Sequence, residues 1–495
     1  MSHHPISRIH NDALRLIFAA AHDCHFAHTQ KTALELPLTL AHVCRRWRNV
    51  ALAQPELWTR FFWKPGDNVE AALEFLKNSR AASLVVDLRL GGFEPEQLTD
   101  EMHADGRVVF DAVCAHFSHT VFLKLFFCEH THDEGILAPL FSPDTPCAMP
   151  RLRQLRIDTT GVKRSDFPRL NIACPPLISV SLHSVRPRRW DDVLGETTTL
   201  LHLDGQDLHL GDLRQALALA PHLRSLQLFF CDLLPDHPAA LLIESQQAYG
   251  AHLDELTVFS LSLPGLRLLQ SLRIPTARIS MIVVDTHWTN APFDAAFAFL
   301  RPEELVDITG IFVTESELSI STSSGGRRMY SGGGVSVHAM RDLFANTPAC
   351  TTIVQITAEL SVWPGFVELM ADGDEHVVLP RLELLRLFLS QDQFEDDPAA
   401  DDALRTLVVA PALARFEVSL HGRSPPGAPL VRRFVRATMG LRSGALKEDA
   451  FSIVDHHHRF EGDCGSYLDR FSEHWRAEMS PGRLLEQFGL PSPSE

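Results

Sequence analysis

The segment APHLRSLQLFFC, residues 220–231, contains the spacing on which the prediction of this 495-residue chain's fold class depends. An apolar residue, two variable residues, a second apolar residue, one variable residue and a third apolar residue follow one another at Leu223, Leu226 and Leu228. Along a strand, alternate side chains point to opposite faces, so Leu226 and Leu228 share one face and Gln227 lies on the other. The segment therefore predicts a short strand with one buried face.

The same spacing recurs along the chain, often after a similar phrase such as MPRLRQLRI or LPRLELLRL. Copies stand at Leu152/Leu155/Ile157, Leu177/Val180/Leu182, Leu253/Leu256/Val258, Leu269/Leu272/Ile274, Leu382/Leu385/Leu387 and Leu413/Phe416/Val418, with weaker ones at Thr120/Leu123/Leu125 and Thr198/Leu201/Leu203. Most are separated by a distance close to the period of leucine-rich repeats. Because such a unit buries its leucines only against its neighbours, the pattern predicts an α/β fold with stacked parallel strands and helices. We expect an irregular leucine-rich-repeat solenoid over residues 80–430.

Two segments depart from this rhythm. The sequence SSGGRRMYSGGG, residues 323–334, predicts a hairpin or loop inserted at about 310–340, and it could lie over the variable face of the strands. After residue 430 the spacing of Val431, Phe434 and Val435 predicts a helical cap, followed by a tail to residue 495. The variable face itself usually binds a protein or peptide in such arrays, and its candidate substrate-binding residues are Arg153, Arg224, Gln227 and Glu255. The alternative is that these polar residues are simply solvated.

The first sixty residues have a different periodicity. Asn11 and Asp12 are suitable N-caps for a helix that places Leu14, Ile17, Phe18 and Ala21 on one side. A second helix is predicted over residues 38–53, and a third short segment opens at Glu56. Three helices of this size cannot bury all their apolar side chains alone, so a partner surface is expected.

The segments IHNDALRLIF, residues 9–18, and LAHVCRRWRNVALAQPELWTRF, residues 40–61, resemble the F-box. The resemblance rests on VCRRW at 43–47 and PELW at 55–58, which stand at the family's spacing. It implies an F-box over residues 1–63 that binds a Skp-type adaptor and, through it, a cullin–RING ligase. The residues that it implies for the adaptor-facing and core surface are Ile9, Leu14, Ile17, Val43, Trp47, Leu57 and Trp58. The sequence leaves open how they divide between the two, and a helical bundle that merely caps the strands is the alternative. Residues 64–79 are predicted to be a linker.

Composition limits the remaining function classes. Lys and Arg number 45 and Asp and Glu 62, a net charge of −17, which disfavours binding to nucleic acid through its phosphates. Nine cysteines without a CxxC pair suggest neither a disulfide framework nor a zinc ribbon, so an intracellular protein of the cytoplasm or nucleus is expected. No apolar run approaches the length of about 18 residues that a membrane span needs, so no membrane partner is expected.

Three clusters in the sequence contain residue types that could bind a metal or act in catalysis. Cys128 with His130, His132 and Asp133 supplies too few ligands for a structural zinc site, and residues 455–458 with Cys464 have the same weakness. The acidic run at 395–402 is typical of a solvated loop. We therefore expect no metal, no cofactor and no catalytic residue.

These expectations combine into a non-catalytic substrate receptor of an SCF-type cullin–RING ubiquitin ligase, in which the F-box binds the adaptor and the solenoid binds the target. One alternative is a leucine-rich-repeat scaffold outside any ligase. The other is a hydrolase that uses loop carboxylates in a deep pocket.

Overall fold

The computed structural model describes most of the chain up to residue 421 and two short segments beyond it. The described residues are 9–28, 35–91, 99–128, 135–160, 169–235, 250, 252–275, 279–286, 293–300, 305, 307–332, 334–335, 340, 349–359, 362–371, 376–390, 407–421, 441–442 and 451–455. They form a mixed α/β fold on a mostly parallel sheet, which confirms the predicted class. The chain divides into two compact units between Thr198 and Thr199.

Unit 1 begins with helices and continues into parallel strands. Its helices are α1 (Asn11–His28), α2 (Glu35–Val43), α3 (Arg45–Leu52), α4 (Val69–Ser79), α5 (Asp100–Cys114) and α6 (Ala138–Phe141), with 3-10 turns at Pro55–Trp58, Phe117–His119 and Trp190–Asp192. Its strands are β1 (Arg60–Trp63), β2 (Leu84–Arg89), β3 (Thr120–Cys128), β4 (Cys147–Ala148), β5 (Gln154–Thr160), β6 (Ile172–Ala173) and β7 (Ser179–His183). Strands β1, β2, β3, β5 and β7 pair in that order, all parallel. The short strands β4 and β6 form a separate pair.

Unit 2 continues the alternation of strand and connection. Its helices are α7 (Leu210–Leu219), α8 (Leu263–Gln270), α9 (Phe293–Leu300), α10 (Ala349–Thr352) and α11 (Trp363–Ala371). Its main sheet strands are β8 (Leu200–Asp204), β10 (Ser225–Phe229), β12 (Glu255–Phe259), β13 (Met281–Asp285), β14 (Ile308–Val313), β15 (Glu317–Thr322), β16 (Arg327–Ser331), β17 (Gln355–Glu359), β19 (Leu384–Ser390), β21 (Arg415–His421) and β23 (Phe451–Asp455). The minor strands are β9 (Asp207–His209), β11 (Asp232–Leu234), β18 (His376–Val378), β20 (Leu407–Val409) and β22 (Leu441–Arg442).

The repeat positions of the sequence form the buried face of the sheet. Leu226 pairs with Leu201 on one side and with Leu256 on the other, and all three are fully buried. Leu228 stands in the equivalent row between Leu203 and Val258. One predicted copy is wrong: Leu269 lies in α8, Leu272 and Ile274 follow it outside any strand, and the next strand is β13.

The predicted insertion lies within the sheet. Strands β14, β15 and β16 pair antiparallel, and their order in the sheet is the reverse of their order in the chain. Because the insert has three strands, β16 runs parallel to β13 and β14 runs parallel to β17. Leu318 and Ile320 are buried on one face while Glu317 and Ser319 are half-buried on the other, so the period-two pattern fits a strand. These strands therefore do not cover the variable face.

The predicted linker at 64–79 is also corrected. Residues 64–68 do form a turn, but α4 follows, and the Asn68 side chain caps it by accepting a hydrogen bond from the Ala71 amide at 2.6 Å. Phe75 on α4 is fully buried and packs 5.8 Å, centroid to centroid, from Phe61. The helical face was overlooked because a proline–glycine turn precedes it.

The predicted helical cap at 431–495 is not supported by the two segments described there. Leu441–Arg442 and Phe451–Asp455 are both strands, and β23 extends the main sheet beside β21. Val431, Phe434 and Val435 lie outside the described residues. Among the described helices, none has both the length and the apolar character that crossing a bilayer requires.

Candidate functional site

The first candidate surface is carried by α1, α2 and α3. Leu14 and Phe18, one turn apart on α1, are fully buried, and the Phe18 ring contacts the Trp47 ring of α3 at a centroid distance of 5.0 Å. Val50 and Ala51 continue the buried side of α3. The three helices thus share a small apolar core.

Helices α2 and α3 are separate, contrary to the single helix predicted over 38–53. Cys44 between them has an extended backbone, with φ −161° and ψ 168°. Arg46 then joins α3 to the start of α1, since its Nε donates to Oδ1 of Asn11 at 2.9 Å and its terminal nitrogen donates to the Ile9 carbonyl. Arg48 joins α3 to α2 by donating to the Ala41 carbonyl at 3.0 Å.

Three of the predicted adaptor-facing residues belong to the core. Leu14 is one of them, and Leu57 and Trp58 are buried in the turn that follows α3. The Trp58 indole donates to the Ala51 carbonyl at 2.9 Å and packs edge-on against Phe75, with centroids 5.3 Å apart. Because they are buried, these three side chains are not accessible to a partner.

The other predicted residues are accessible to different degrees. Ile17 is 47% exposed and Val43 is 54% exposed, whereas Ile9 and Trp47 are half-buried. Leu16, which is 73% exposed, is not among the residues predicted from the sequence. The exposure of Leu16 could have been predicted from helix geometry. Leu16 follows Leu14 by two residues, a rotation of about 200° around the helix axis, so it points away from the buried side on which Leu14 lies.

In each unit, the variable face of the strands is a further candidate surface. Arg153 in unit 1 and Arg224 in unit 2 are both exposed and stand just before a strand, with their amides bonded to the carbonyls of Val121 and Thr199. Gln227 and Glu255 stand on adjacent strands in unit 2; Gln227 is buried, at 2% exposure, which disfavours its predicted role in binding a substrate, and Glu255 is half-buried. Glu255 accepts from Ser225 at 3.1 Å, from Thr257 at 3.2 Å and from Gln227 at 3.5 Å. The structure therefore joins two of the four predicted substrate-binding residues in one hydrogen-bonded network.

Three of the described cysteines, Cys114, Cys147 and Cys174, have thiols that are poor nucleophiles and poor metal ligands at neutral pH. Burial raises the pKa of Cys114 to about 12, that of Cys147 to about 11 and that of Cys174 to about 12. Their thiols stay protonated near pH 7, whereas the thiolate is the reactive and metal-binding form. Within the described ranges, no three His, Cys, Asp or Glu side chains are grouped as metal ligands.

The clusters considered for chemistry fall largely outside the described residues. Cys128 is described and buried, but His130, His132 and Asp133 are not, nor are residues 395–402, 456–458 and Cys464. A cavity of about 370 Å³ between α8 and α9 is lined by Leu266, Arg267, Asp294 and Ala298, among others. Asp294 is the single carboxylate among its lining residues, so this cavity does not contain the pair of carboxylates that the hydrolase hypothesis requires.

Comparisons with known proteins add no identification to this geometry: no family model matches the chain, and no curated protein matches it either.

Proposed function

We propose that this chain is the substrate receptor of an SCF-type cullin–RING ubiquitin ligase, acting inside the cell. The observation that carries the proposal is the apolar exposure of the N-terminal helices. Within the described residues, six large apolar side chains are exposed, and three of them, Leu16, Ile17 and Val43, lie on α1 and α2. Exposed apolar side chains of this kind favour a protein partner, and the F-box resemblance of these helices suggests a Skp-type adaptor.

The receptor itself makes and breaks no covalent bond in this proposal. The adaptor would engage α1 and α2 by mainly apolar contacts, while the parallel strands, which we propose continue as an irregular leucine-rich-repeat solenoid, hold the target. Binding both at once raises the local concentration of the target near the ubiquitin-charged enzyme. Transfer of ubiquitin then becomes a local event instead of a chance encounter.

The test is binding of the purified full chain to a purified Skp-type adaptor by calorimetry. We expect the double variant Ile17→Ser, Val43→Ser to lose binding at least tenfold, since both side chains are exposed and neither supports the core. The matched control is Val108→Ser with Val378→Ser, whose side chains are 46% and 48% exposed on other elements. Equal binding by the wild type and the first double variant would contradict the proposal.

A scaffold outside any ligase remains the second candidate function. It predicts no affinity for the adaptor, together with intact folding and intact target binding. A variant at the half-buried Trp47 also distinguishes the two candidate functions. Trp47→Ala with Val43→Ala should weaken adaptor binding if the chain is a ligase receptor, whereas a scaffold would not bind the adaptor either with or without these substitutions.

A further inference from the structure

A short loop of unit 1, residues 142–146, joins α6 to β4 and has the sequence SPDTP. Its residues 143–146 are all exposed. Ser142 and Thr145 are each followed by proline, and no other Ser or Thr in the part of the chain that the structure describes precedes a proline. Proline-directed protein kinases recognise a hydroxyl residue by this following proline, which has no amide hydrogen to be left without an acceptor in the kinase. The loop therefore offers two candidate acceptors for a phosphoryl group.

The two hydroxyl residues differ in how firmly the chain holds them. Ser142 is half-buried, its amide donates to the Ala138 carbonyl at 2.8 Å, and its carbonyl accepts from Nδ2 of Asn171 at 2.6 Å. Thr145 is exposed, and neither its backbone nor its side chain forms a hydrogen bond to any described residue. A kinase binds its substrate chain in an extended form, which the residue before a proline already favours. Thr145 gives up no hydrogen bond to enter such a groove, whereas Ser142 gives up two.

An arginine lies beside the loop. The guanidinium of Arg188 donates to the Pro143 carbonyl, and its side chain is exposed. Two residues of chain span at most about 7 Å, so this guanidinium lies within reach of a phosphate group on Thr145. Arg169 is a second exposed arginine of the same region, since it precedes Leu170, whose carbonyl accepts from the Arg188 amide at 2.8 Å.

Two carboxylates compete for Arg188. Asp144 is exposed in the loop itself, and Asp192 is half-buried and within electrostatic range of Arg188. Among the described residues, neither carboxylate forms a hydrogen bond or an ion pair with Arg188, whereas the neighbouring Arg189 is paired with Asp191. A phosphate group carries more charge than one carboxylate and has three acceptor oxygens, which suit the paired donors of a guanidinium.

We propose that Thr145 is a phosphorylation site for a proline-directed protein kinase and that Arg188 binds the phosphate once it is attached. In the transfer, Oγ1 of Thr145 attacks the γ-phosphorus of ATP and its proton passes to the catalytic carboxylate of the kinase. The bond from that phosphorus to the oxygen that bridges it to the β-phosphorus breaks, and ADP leaves with this oxygen. The new ion pair joins the loop to residues 186–189. This modification is independent of the proposed adaptor binding.

The first test treats the purified full chain with ATP, Mg²⁺ and either of two proline-directed kinases from different families, and mass spectrometry locates the phosphate. We expect phosphate on Thr145 and at least tenfold less on Ser142. Thr145→Ala should lower phosphorylation of the loop at least tenfold, and the matched control Ser142→Ala should leave it unchanged. Absence of phosphate from Thr145 with both kinases would overturn the proposal, and so would equal phosphorylation of the two residues.

The second test measures the phosphate by phosphorus NMR as a function of pH. The second pKa of a phosphothreonine is about 6, and a nearby guanidinium lowers it because it favours the dianion. We expect a lower pKa in the phosphorylated chain than in a phosphorylated peptide of residues 140–148, and Arg188→Gln should bring the two together. The matched control is Arg80→Gln, which also removes an exposed guanidinium bonded to a carbonyl, that of Leu52, and should change nothing. An unchanged pKa in Arg188→Gln would overturn the assignment of the phosphate to Arg188.

Discussion

At the scale of single residues, Trp58 has a structural role that its place in the segment PELW, residues 55–58, does not reveal. Its indole donates to Ala51 at the end of α3, and its ring packs on Phe75 of α4. The residue therefore ties the N-terminal helices to the helix that follows β1. A large aromatic side chain buried between elements contributes to stability through both packing and its hydrogen bond.

Replacing Trp58 by Phe tests this role. The change keeps an aromatic ring but removes one donor to the Ala51 carbonyl, which still accepts from the Gln54 amide at 3.2 Å. The lost hydrogen bond should cost about 0.5–1.5 kcal/mol before any loss of packing. Urea unfolding monitored by circular dichroism measures the free energy of unfolding. Trp47→Phe is the control, because Trp47 is half-exposed and its contact with Phe18 survives in the variant. An unchanged unfolding midpoint for Trp58→Phe would contradict the assignment to the core.

A second residue-scale prediction concerns two neighbouring histidines. His116 Nδ1 lies 3.1 Å from His119 Nε2 in the connection between α5 and β3. Burial lowers the pKa of both, with a further lowering of the His116 pKa by His119 and of the His119 pKa by Arg151. Two adjacent cations at these positions, facing a third at Arg151, would repel one another.

The sign of the pH effect follows from the lowered pKa values. Between the folded pKa values and about 6.5, the unfolded chain binds more protons than the folded chain, so the free energy of unfolding rises with pH. Stability is thus complete above about pH 6.5 and falls as the pH drops below it. Urea unfolding at several values between pH 8 and pH 5 measures the slope. His119→Gln, which removes one titrating group, should flatten this slope, and an identical slope in the variant would exclude the pair as its source.

Residue burial in α1 shows which part of the helical core could be predicted from the sequence. Leu14, Ile17 and Phe18 all fit one helical stripe, yet Leu14 and Phe18 are buried and Ile17 is exposed. Periodicity identifies a stripe about 100° wide or more, whereas the partner helices decide how much of that stripe is covered. Arg46 and Arg48, which orient α3, donate hydrogen bonds to backbone carbonyls. Because every residue has a backbone carbonyl, the sequence does not indicate which one these arginines contact.

At the scale of elements, the strands end in a recurring conformation. Ser184, Gly205, Phe230 and Ser260 directly follow β7, β8, β10 and β12, and each has a positive φ between 49° and 61°. Three of their amides continue the ladder to the last residue of the next strand: Gly205 to Phe229 at 2.8 Å, Phe230 to Phe259 at 2.9 Å and Ser260 to Asp285 at 2.7 Å. The same backbone conformation thus follows each of these strands, although the residue that adopts it differs from strand to strand.

Gly205 offers the sharpest test of this turn. Gly205→Ala adds a Cβ to a residue with φ 61° and should cost about 1–2 kcal/mol, whereas Gly205→Asn should cost less because asparagine tolerates the left-handed region. The free energy of unfolding of the two variants gives the comparison. Equal stability of the wild type and Gly205→Ala would mean that the turn relaxes at no cost.

The success of strand prediction depended on leucine spacing. Strands β3, β5, β7, β8, β10, β12, β19 and β21 contain the repeat positions that the sequence indicated. Strand β13, with the sequence MIVVD, was missed because its buried residues are β-branched and lack the leucine triplet, and Leu269 to Ile274 resembled the triplet inside and after a helix. Local spacing does not distinguish these cases, since an apolar run of this length fits a strand or a buried helix segment.

At the scale of the whole molecule, the main-sheet strands within each unit follow the order of the chain except at β14, β15 and β16 of unit 2. Parallel neighbours require a connection that returns to the same end of the sheet, so each repeat adds one strand in a fixed direction. The three antiparallel strands of the insert restore that direction because their number is odd. A two-stranded antiparallel insert at this place would leave β17 antiparallel to β13. With three strands, β17 and the strands paired to it, β19 and β21, run in the same direction as β13.

The last prediction concerns how far a destabilising substitution in one strand affects the other strands of unit 2. Leu226 is fully buried between Leu201 and Leu256, and Leu226→Ala should cost about 2–5 kcal/mol through lost apolar contact and the cavity left behind. If each strand depends on its neighbours, amide exchange should accelerate most in β8, β10 and β12 and least in β19 and β21, as hydrogen exchange with mass spectrometry resolves. Leu200→Ala is the control, because Leu200 is half-buried on the opposite face. Uniform acceleration across all these strands would instead mean that unit 2 opens as one cooperative block, and nearest-neighbour stacking would then be the wrong description of its stability.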